Sequence, residues 1–288
     1  MSFVVSASDD NTIKIWDINT GMCLNTLNGH NDDVNSIALT PDGTRVVSGS
    51  NDKSVKIWDL QSGLCLNTLY GHSHYVSCVA ISDDGSKIIS ASWDKRIKIW
   101  DFVSGDCINT LVGHTHCVTS IAMSPNGLKL ISASWDKSVK IWDFNTGECL
   151  NTLTEHSHRV YCVAISRDSS TIVSGSADDI IKVWNVENGN CINTFTGHTL
   201  AVLSIAITID GSKIISGSID KSVKVWSLHT GQCINTFKGH TNAVRSVAIS
   251  SDQTNIFSRS QDSGIKVWDI QASQCITTLQ RHTGYVFL

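Results

Sequence analysis

Short runs of apolar and polar residues, about six long, recur along the whole chain, each dominated by valine, isoleucine or an aromatic residue. Val46-Val47-Ser48-Gly49-Ser50 and Val55-Lys56-Ile57-Trp58-Asp59 are typical. Such runs are too short for helices and rich in β-branched side chains, which pack well on a pleated surface, so they predict strands. Turn residues separate them, as in Pro41-Asp42-Gly43, Asn126-Gly127 and Thr146-Gly147. Glycine, asparagine and aspartate accept the backbone angles of tight reversals, so consecutive runs are expected to pair as antiparallel neighbours.

The runs obey a fixed period. Trp16, Trp58, Trp100, Trp142, Trp184, Trp226 and Trp268 are spaced by 42 residues without a slip, and each period holds four runs. A sheet repeated at constant spacing buries its apolar faces against copies of itself. The expected fold is therefore all-β, a seven-bladed β-propeller of four-stranded antiparallel blades. The chain starts in a second strand, Phe3 to Ser8, and stops after a lone first strand, Gly284 to Leu288. These fragments are expected to complete one blade, shared between residues 1–28 and 281–288, so that residues 1–288 form a single propeller with its open edges paired.

Two prolines and twenty glycines in 288 residues leave no room for a proline-rich linker or a low-complexity tail. The first residues, MSFVVSASDD, lack the basic start and apolar run of a signal peptide, and no stretch approaches the roughly 20 apolar residues of a membrane helix. The chain reads as soluble and cytoplasmic. Cys23, Cys65, Cys107, Cys149, Cys191, Cys233 and Cys275 recur once per period. Equivalent positions in separate blades are poorly placed to pair, so each is expected to be a small buried hydrophobe in the same strand rather than a redox or metal group.

Every period also carries a histidine, a serine 18 residues later, an aspartate four beyond that and a tryptophan six further on. The sets are His30, Ser48, Asp52, Trp58; His72, Ser90, Asp94, Trp100; His114, Ser132, Asp136, Trp142; His156, Ser174, Asp178, Trp184; His198, Ser216, Asp220, Trp226; and His240, Ser258, Asp262, Trp268. The blade shared between the ends supplies His282, Ser6, Asp10 and Trp16. Serine, histidine and aspartate together would suit nucleophilic catalysis. A triad works once beside a cleft, however, whereas seven sets at identical spacing suit a structural hydrogen-bond relay. No phosphate-binding loop, zinc-protease helix, C-x2-C pair or nucleophile elbow occurs either. The chain is not expected to be an enzyme, and no cofactor or metal is expected. His74, His116 and His158 follow their relay histidines by two residues in three successive blades and read as solvated loop side chains.

These residues carry a resemblance. Gly-His followed by an Asp-x5-Trp-Asp ending at a period of forty-odd residues is similar to the WD40 repeat family, over essentially the whole chain. Glu155 and Arg281 depart from the glycine before histidine, and Asn185 and Ser227 from the aspartate after tryptophan. The resemblance implies that the relay is the family's structural tetrad and that the chain is a protein-interaction scaffold. It also implies a second reading, the sensor or autoinhibitory module of a larger nucleotide-driven (STAND-type) signalling protein.

Charge narrows the partner. The net charge is −4, but once tetrad and Trp-Asp aspartates and the lysine two before each period tryptophan are set aside, 15 bases face 14 acids. No basic stripe or polybasic segment remains, so nucleic acid and membrane are not expected and protein or peptide is.

Positions common to all blades build the blade, and positions that differ are free for recognition. Three variable places cluster in the turns expected at the channel mouth: the third and fifth residues after each tetrad histidine and the residue before each tetrad aspartate. They single out Asp33, Asn35 and Asn51; Tyr75 and Trp93; Trp135; Arg159 and Tyr161; Leu203; Arg245; and Tyr285, Phe287 and Asp9. Trp93 and Trp135, the tryptophans outside the period, are expected to join Tyr75 and Tyr161 in an aromatic sector of the kind that anchors interfaces. In WD40 peptide readers a basic side chain enters the channel between aromatic residues, and by resemblance Tyr161 and Phe287 match that place. The expected partner is a peptide whose Arg or Lys enters the channel of a monomeric propeller. Arg259 is set apart, because the other six blades have Gly or Ala there.

Overall fold

The computed structural model describes residues 3–17, 20–250, 252–262, 264–280 and 286–287, with only the backbone of residues 279, 280, 286 and 287. Among them every regular element is a strand, and the strands form seven four-stranded antiparallel sheets. This is the seven-bladed β-propeller class. Blades are named here by their period tryptophan.

The Trp58 blade shows the plan. Val34–Leu39, Arg45–Ser50, Val55–Asp59 and Cys65–Leu69 lie side by side in chain order. Val46 pairs with Trp58 and Ser48 with Lys56, then the register slips by one residue between Ile57 and Trp58, so that Trp58 faces Cys65. The same slip precedes the tryptophan in all seven blades. A bulge of this kind sharpens local twist and re-aims a side chain, and here it lies beside the indole that the tetrad uses.

Contacts divide the chain into two compact units, residues 1–119 with 282–288, and residues 120–281. In the first, Val286–Phe287 pairs with Phe3–Ser8 through Ala7 with Phe287 and Ser8 with Val286, giving the Trp16 blade strands from both ends of the chain. Its core is built between consecutive blades: Ile13, Ile15 and Leu27 pack with Val34, Val46 and Trp58, and Val55, Ile57 and Leu69 with Val76, Ile88, Trp100 and Phe102. In the second unit, Val139, Ile141 and Leu153 pack in the same way with Val160, Ile172 and Trp184. The blades are thus held by apolar burial, the dominant favourable term in folding.

Close approach of blades explains the small residue between the two serines of the second strand. A Cβ on Gly49 would lie 2.5 Å from Val76 Cγ1, and one on Gly217 would lie 2.7 Å from Val244 Cγ1. Arg259 occupies this position in the Trp268 blade and is fully buried there.

One expectation is overturned. Cys23, Cys65, Cys107, Cys149, Cys233 and Cys275 are exposed and Cys191 is half-buried, not core residues. They start the fourth strand, or in the case of Cys275 stand second in it, at the outer edge of each blade, where only the last apolar residue, such as Leu69, turns inward. The following residues are exposed as well, with Leu24 at 54% and Ile192 at 58%. Apolar character alone did not reveal this, because the fourth strand has a neighbour on one side only.

Candidate functional site

Five tetrads are described in full. In the Trp58 blade His30 Nδ1 lies 2.7 Å from Asp52 Oδ2, His30 Nε2 lies 2.7 Å from Ser48 Oγ, and Trp58 Nε1 donates to Ser48 Oγ at 2.8 Å. A carboxylate only accepts, so Nδ1 donates to it, the neutral ring accepts from serine at Nε2, and the serine oxygen accepts from the indole. The sets headed by His72, His156, His198 and His240 repeat this within 2.6–2.9 Å. In the Trp16 and Trp142 blades the indoles donate to Ser6 and Ser132 at 2.7 and 2.8 Å. Asp10 and Asp136 accept the N–H groups of Thr12 and Ser138, and His114 is buried. His282 lies outside the described residues.

The aspartates also fasten turns. Asp52 accepts the backbone N–H groups of Asn31 and Ser54, joining the turn before the first strand to the turn between second and third strands. Burial pushes its carboxyl up, but bonds from His30, Ser54 and Asn31 outweigh that and hold it well below the carboxylate range. Burial pushes the His240 imidazole down. The Ser-His-Asp geometry is that of a triad, yet every tetrad serine is completely buried beneath its indole. A nucleophile must reach a substrate atom, and these oxygens face the blade interior.

The variable positions of the first unit meet in one place. Asn35, Asn51, Tyr75, Ser77 and Trp93 line a cavity of about 220 Å³ where the Trp58 and Trp100 blades adjoin. Backbone bonds hold its rims: Asn51 N–H donates to Asp33 O and Trp93 N–H to Tyr75 O, each at 2.9 Å. Asn35 Nδ2 donates to Asn51 Oδ1 and to Val76 O, both at 2.8 Å, and Asn51 Nδ2 donates to Asp33 Oδ2 at 3.2 Å. The Tyr75 and Trp93 rings lie 5.3 Å apart at 52°. Burial, with the neighbouring Asp32 charge, pushes the Asp33 carboxyl up. His74, read from sequence as a solvated loop residue, is exposed but takes part, with its ring 4.4 Å from Tyr75 and 5.7 Å from Trp93. Its place immediately before Tyr75 was the available signal. Asp9 is half-buried at its own turn.

In the second unit Arg159 lies over the Trp135 ring, Cζ 4.3 Å from the centroid, and Tyr161 meets that ring edge-on at 6.4 Å. Arg245 is exposed and donates through Nε to Gln261 at 3.1 Å when the amide oxygen faces it. Leu203 is half-buried, while Ala201 and Ala243 at their turns are buried. Trp93 and Trp135 are half-buried rather than exposed. Tyr285 and the Phe287 side chain, on which the expected channel position depends, lie outside the described residues.

The sequence profile described as WD domain, G-beta repeat matches residues 1–17, 21–59, 63–101, 105–143, 147–185, 189–227 and 231–269. The chain belongs to the WD40 repeat family. Each matched segment of this WD40 chain ends within the Trp-Asp region of a third strand, so the profile repeat is offset from the blade by one strand. A 42-residue segment is 50% identical to the nuclear distribution protein PAC1 of Arthroderma otae, covering 15% of this chain and 9% of that protein. The alignment spans about one blade, less than a tenth of its curated relative. WD40 propellers in general are non-catalytic scaffolds that bind proteins or peptides. Among the described residues no helix is long and apolar enough to cross a membrane.

Proposed function

We propose that this WD40 chain is a non-catalytic scaffold that takes a protein or peptide on the face carrying the inter-blade turns and the turns between second and third strands. The cavity between the Trp58 and Trp100 blades carries this reading. Residues that differ from blade to blade converge there on one accessible space, while the common residues are consumed by tetrads and core. Aromatic side chains that bury large area at low entropic cost make up one wall, as in interface anchors. Asp9, Asp33 and Asn35 extend the surface in the first unit, and Trp135, Arg159, Tyr161, Leu203 and Arg245 supply it in the second. Residues 1–288 are read as one monomeric propeller. Ten free thiols, six of them exposed, favour a reducing, cytoplasmic setting.

The test is selection of binders from a random peptide display library on the folded protein, with affinities remeasured on Trp93→Ala and Tyr75→Ala. Selected peptides are expected to lose about tenfold or more on either variant, as for a buried aromatic anchor. Peptides that bind these variants like the parent but lose affinity on Gln61→Ala, in the turn at the opposite end of the Trp58 blade, would move the interface to that face.

A further inference from the structure

We propose that the outer edge of the Trp268 blade accepts an added β-strand from a partner, an extended β-branched segment with a single acidic side chain opposite Thr278. The surface is separate from the cavity described above. It follows from a closure of the edge that six blades carry and this one lacks.

Bonds across an antiparallel pair alternate, so every second residue of an edge strand turns both its N–H and its C=O outward. In the Trp58 blade Asp59 N–H donates to Leu64 O, which makes Ile57–Asn67 and Val55–Leu69 the bonded pairs and leaves Thr68, opposite Lys56, facing out. The preceding asparagine closes that outward amide: Thr68 N–H donates to Asn67 Oδ1 at 2.8 Å. The same bond, at 2.7–2.8 Å, recurs in six blades, from the Trp16 blade to the Trp226 blade. An edge amide that already has an acceptor is withheld from a further strand.

In the Trp268 blade the fourth strand, Gln274–Gln280, keeps the ladder, with Thr277 opposite Val267 and Thr278 opposite Lys266. Thr277 stands where the other blades have asparagine and carries no carboxamide oxygen for the Thr278 N–H. It is exposed, whereas the six asparagines are half-buried. This strand is also seven residues long against five or six in the other blades, and it holds no charge, proline or glycine. Such a strand is a template for pairing. Charge selects what pairs with it. Lys266 Nζ donates to Thr278 Oγ1 at 2.9 Å, so an ammonium stands beside the edge. The matching lysine of the Trp184 blade, Lys182, meets a carboxylate, that of Glu155, at 3.3 Å. Directly opposed residues of paired strands project to the same side, so a glutamate facing Thr278 supplies the same complement to Lys266. A second copy paired about a two-fold axis at Thr278 would instead bring two Lys266 side chains to one side, which like charges oppose.

The experiment titrates the whole protein with acetyl-Thr-Val-Glu-Val-Thr-amide, with the same peptide N-methylated at its glutamate, and with lysine in place of the glutamate. Backbone amide signals are followed by nitrogen-15 NMR. The first peptide is expected to shift the Thr278 amide saturably. N-methylation removes the donor that would meet Thr278 O and is expected to weaken binding about tenfold, and lysine to weaken it severalfold. Thr277→Asn installs the residue that six blades already carry, so the fold is kept, and is expected to weaken the first peptide about tenfold by closing the edge. No shift at Thr278, equal binding of the N-methylated or lysine peptide, or undiminished binding to Thr277→Asn overturns the proposal. A concentration-dependent dimer in sedimentation equilibrium that Thr277→Asn abolishes would give the edge to a second copy and overturn it too.

Discussion

Trp100 Nε1 donates to Ser90 Oγ at 2.8 Å, and that same oxygen lies 2.8 Å from His72 Nε2, so one fully buried hydroxyl joins the third strand of a blade to the turn before its first. Every member of this chain is spoken for. Removing one leaves a buried partner unsatisfied, which costs about 1–3 kcal/mol. Asp94→Ala is expected to lower the free energy of unfolding by that amount, and Ser90→Ala by a similar amount. Urea denaturation measures both, and unchanged midpoints would show that the relay contributes nothing to stability.

Acid should weaken the fold in two ranges. The Thr40 and Thr44 hydroxyls and the Thr44 N–H hold the Asp42 carboxyl down to about 2 from its ordinary 3.8. Ser82 and Ser86 do the same for Asp84, and Thr208 and Ser212 for Asp210, each to about 2. A carboxyl with a depressed folded pKa contributes stability that is present above the unfolded value and lost as pH falls through the folded one. That loss falls between about pH 4 and pH 2. Burial of His240 favours its neutral ring, so its contribution is present above the ordinary 6.5 and is lost as pH falls below that value. Urea midpoints recorded from pH 8 to pH 2 should decline first below neutrality and again in strong acid. Midpoints that rise on acidification would reverse the sign argued here.

The turn between first and second strands offers a gain. Thr40 donates to Asp42, Ser82 to Asp84, Ser166 to Asp168, Thr208 to Asp210 and Ser250 to Asp252. In the Trp142 blade the acceptor is Asn126, which takes the Ser124 hydroxyl at 2.8 Å and the Leu128 N–H at 3.1 Å. A charged acceptor makes the stronger bond. Asn126→Asp is expected to raise the melting temperature at pH 7, with the gain disappearing near pH 2. A melting temperature that falls at pH 7 would contradict this.

Thiol labelling separates rim from core. Cys23, Cys65, Cys107, Cys149, Cys233 and Cys275 should react with maleimide in the native protein, whereas Cys117 and Cys162 are buried and should react only after denaturation. Burial also pushes the Cys162 thiol far up, which withholds the reactive thiolate. Peptide mapping by mass spectrometry reads both groups at once, and rapid native labelling of Cys162 would contradict the packing.

Period and residue type were enough to read the blades. A tryptophan every 42 residues with four β-branched runs between leaves few ways to bury apolar surface, and the tetrad partners were legible because their spacing repeats. Burial was legible less evenly. The rim cysteines look like core residues in sequence, since a strand's apolar letters do not say whether it has one neighbour or two; their position on the fourth strand decided it. The cavity was half legible. Asn35, Asn51, Tyr75 and Trp93 stood out because they vary, but their convergence, the neighbouring His74 ring and the inward turn of the Asn35 amide arise between residues of different strands. Local propensity and periodicity act along the chain and so belong to the sequence. Which side of a strand meets solvent, and which hydrogen-bond valences remain open, depend on neighbours some 40 residues away, and only the packed structure supplies those.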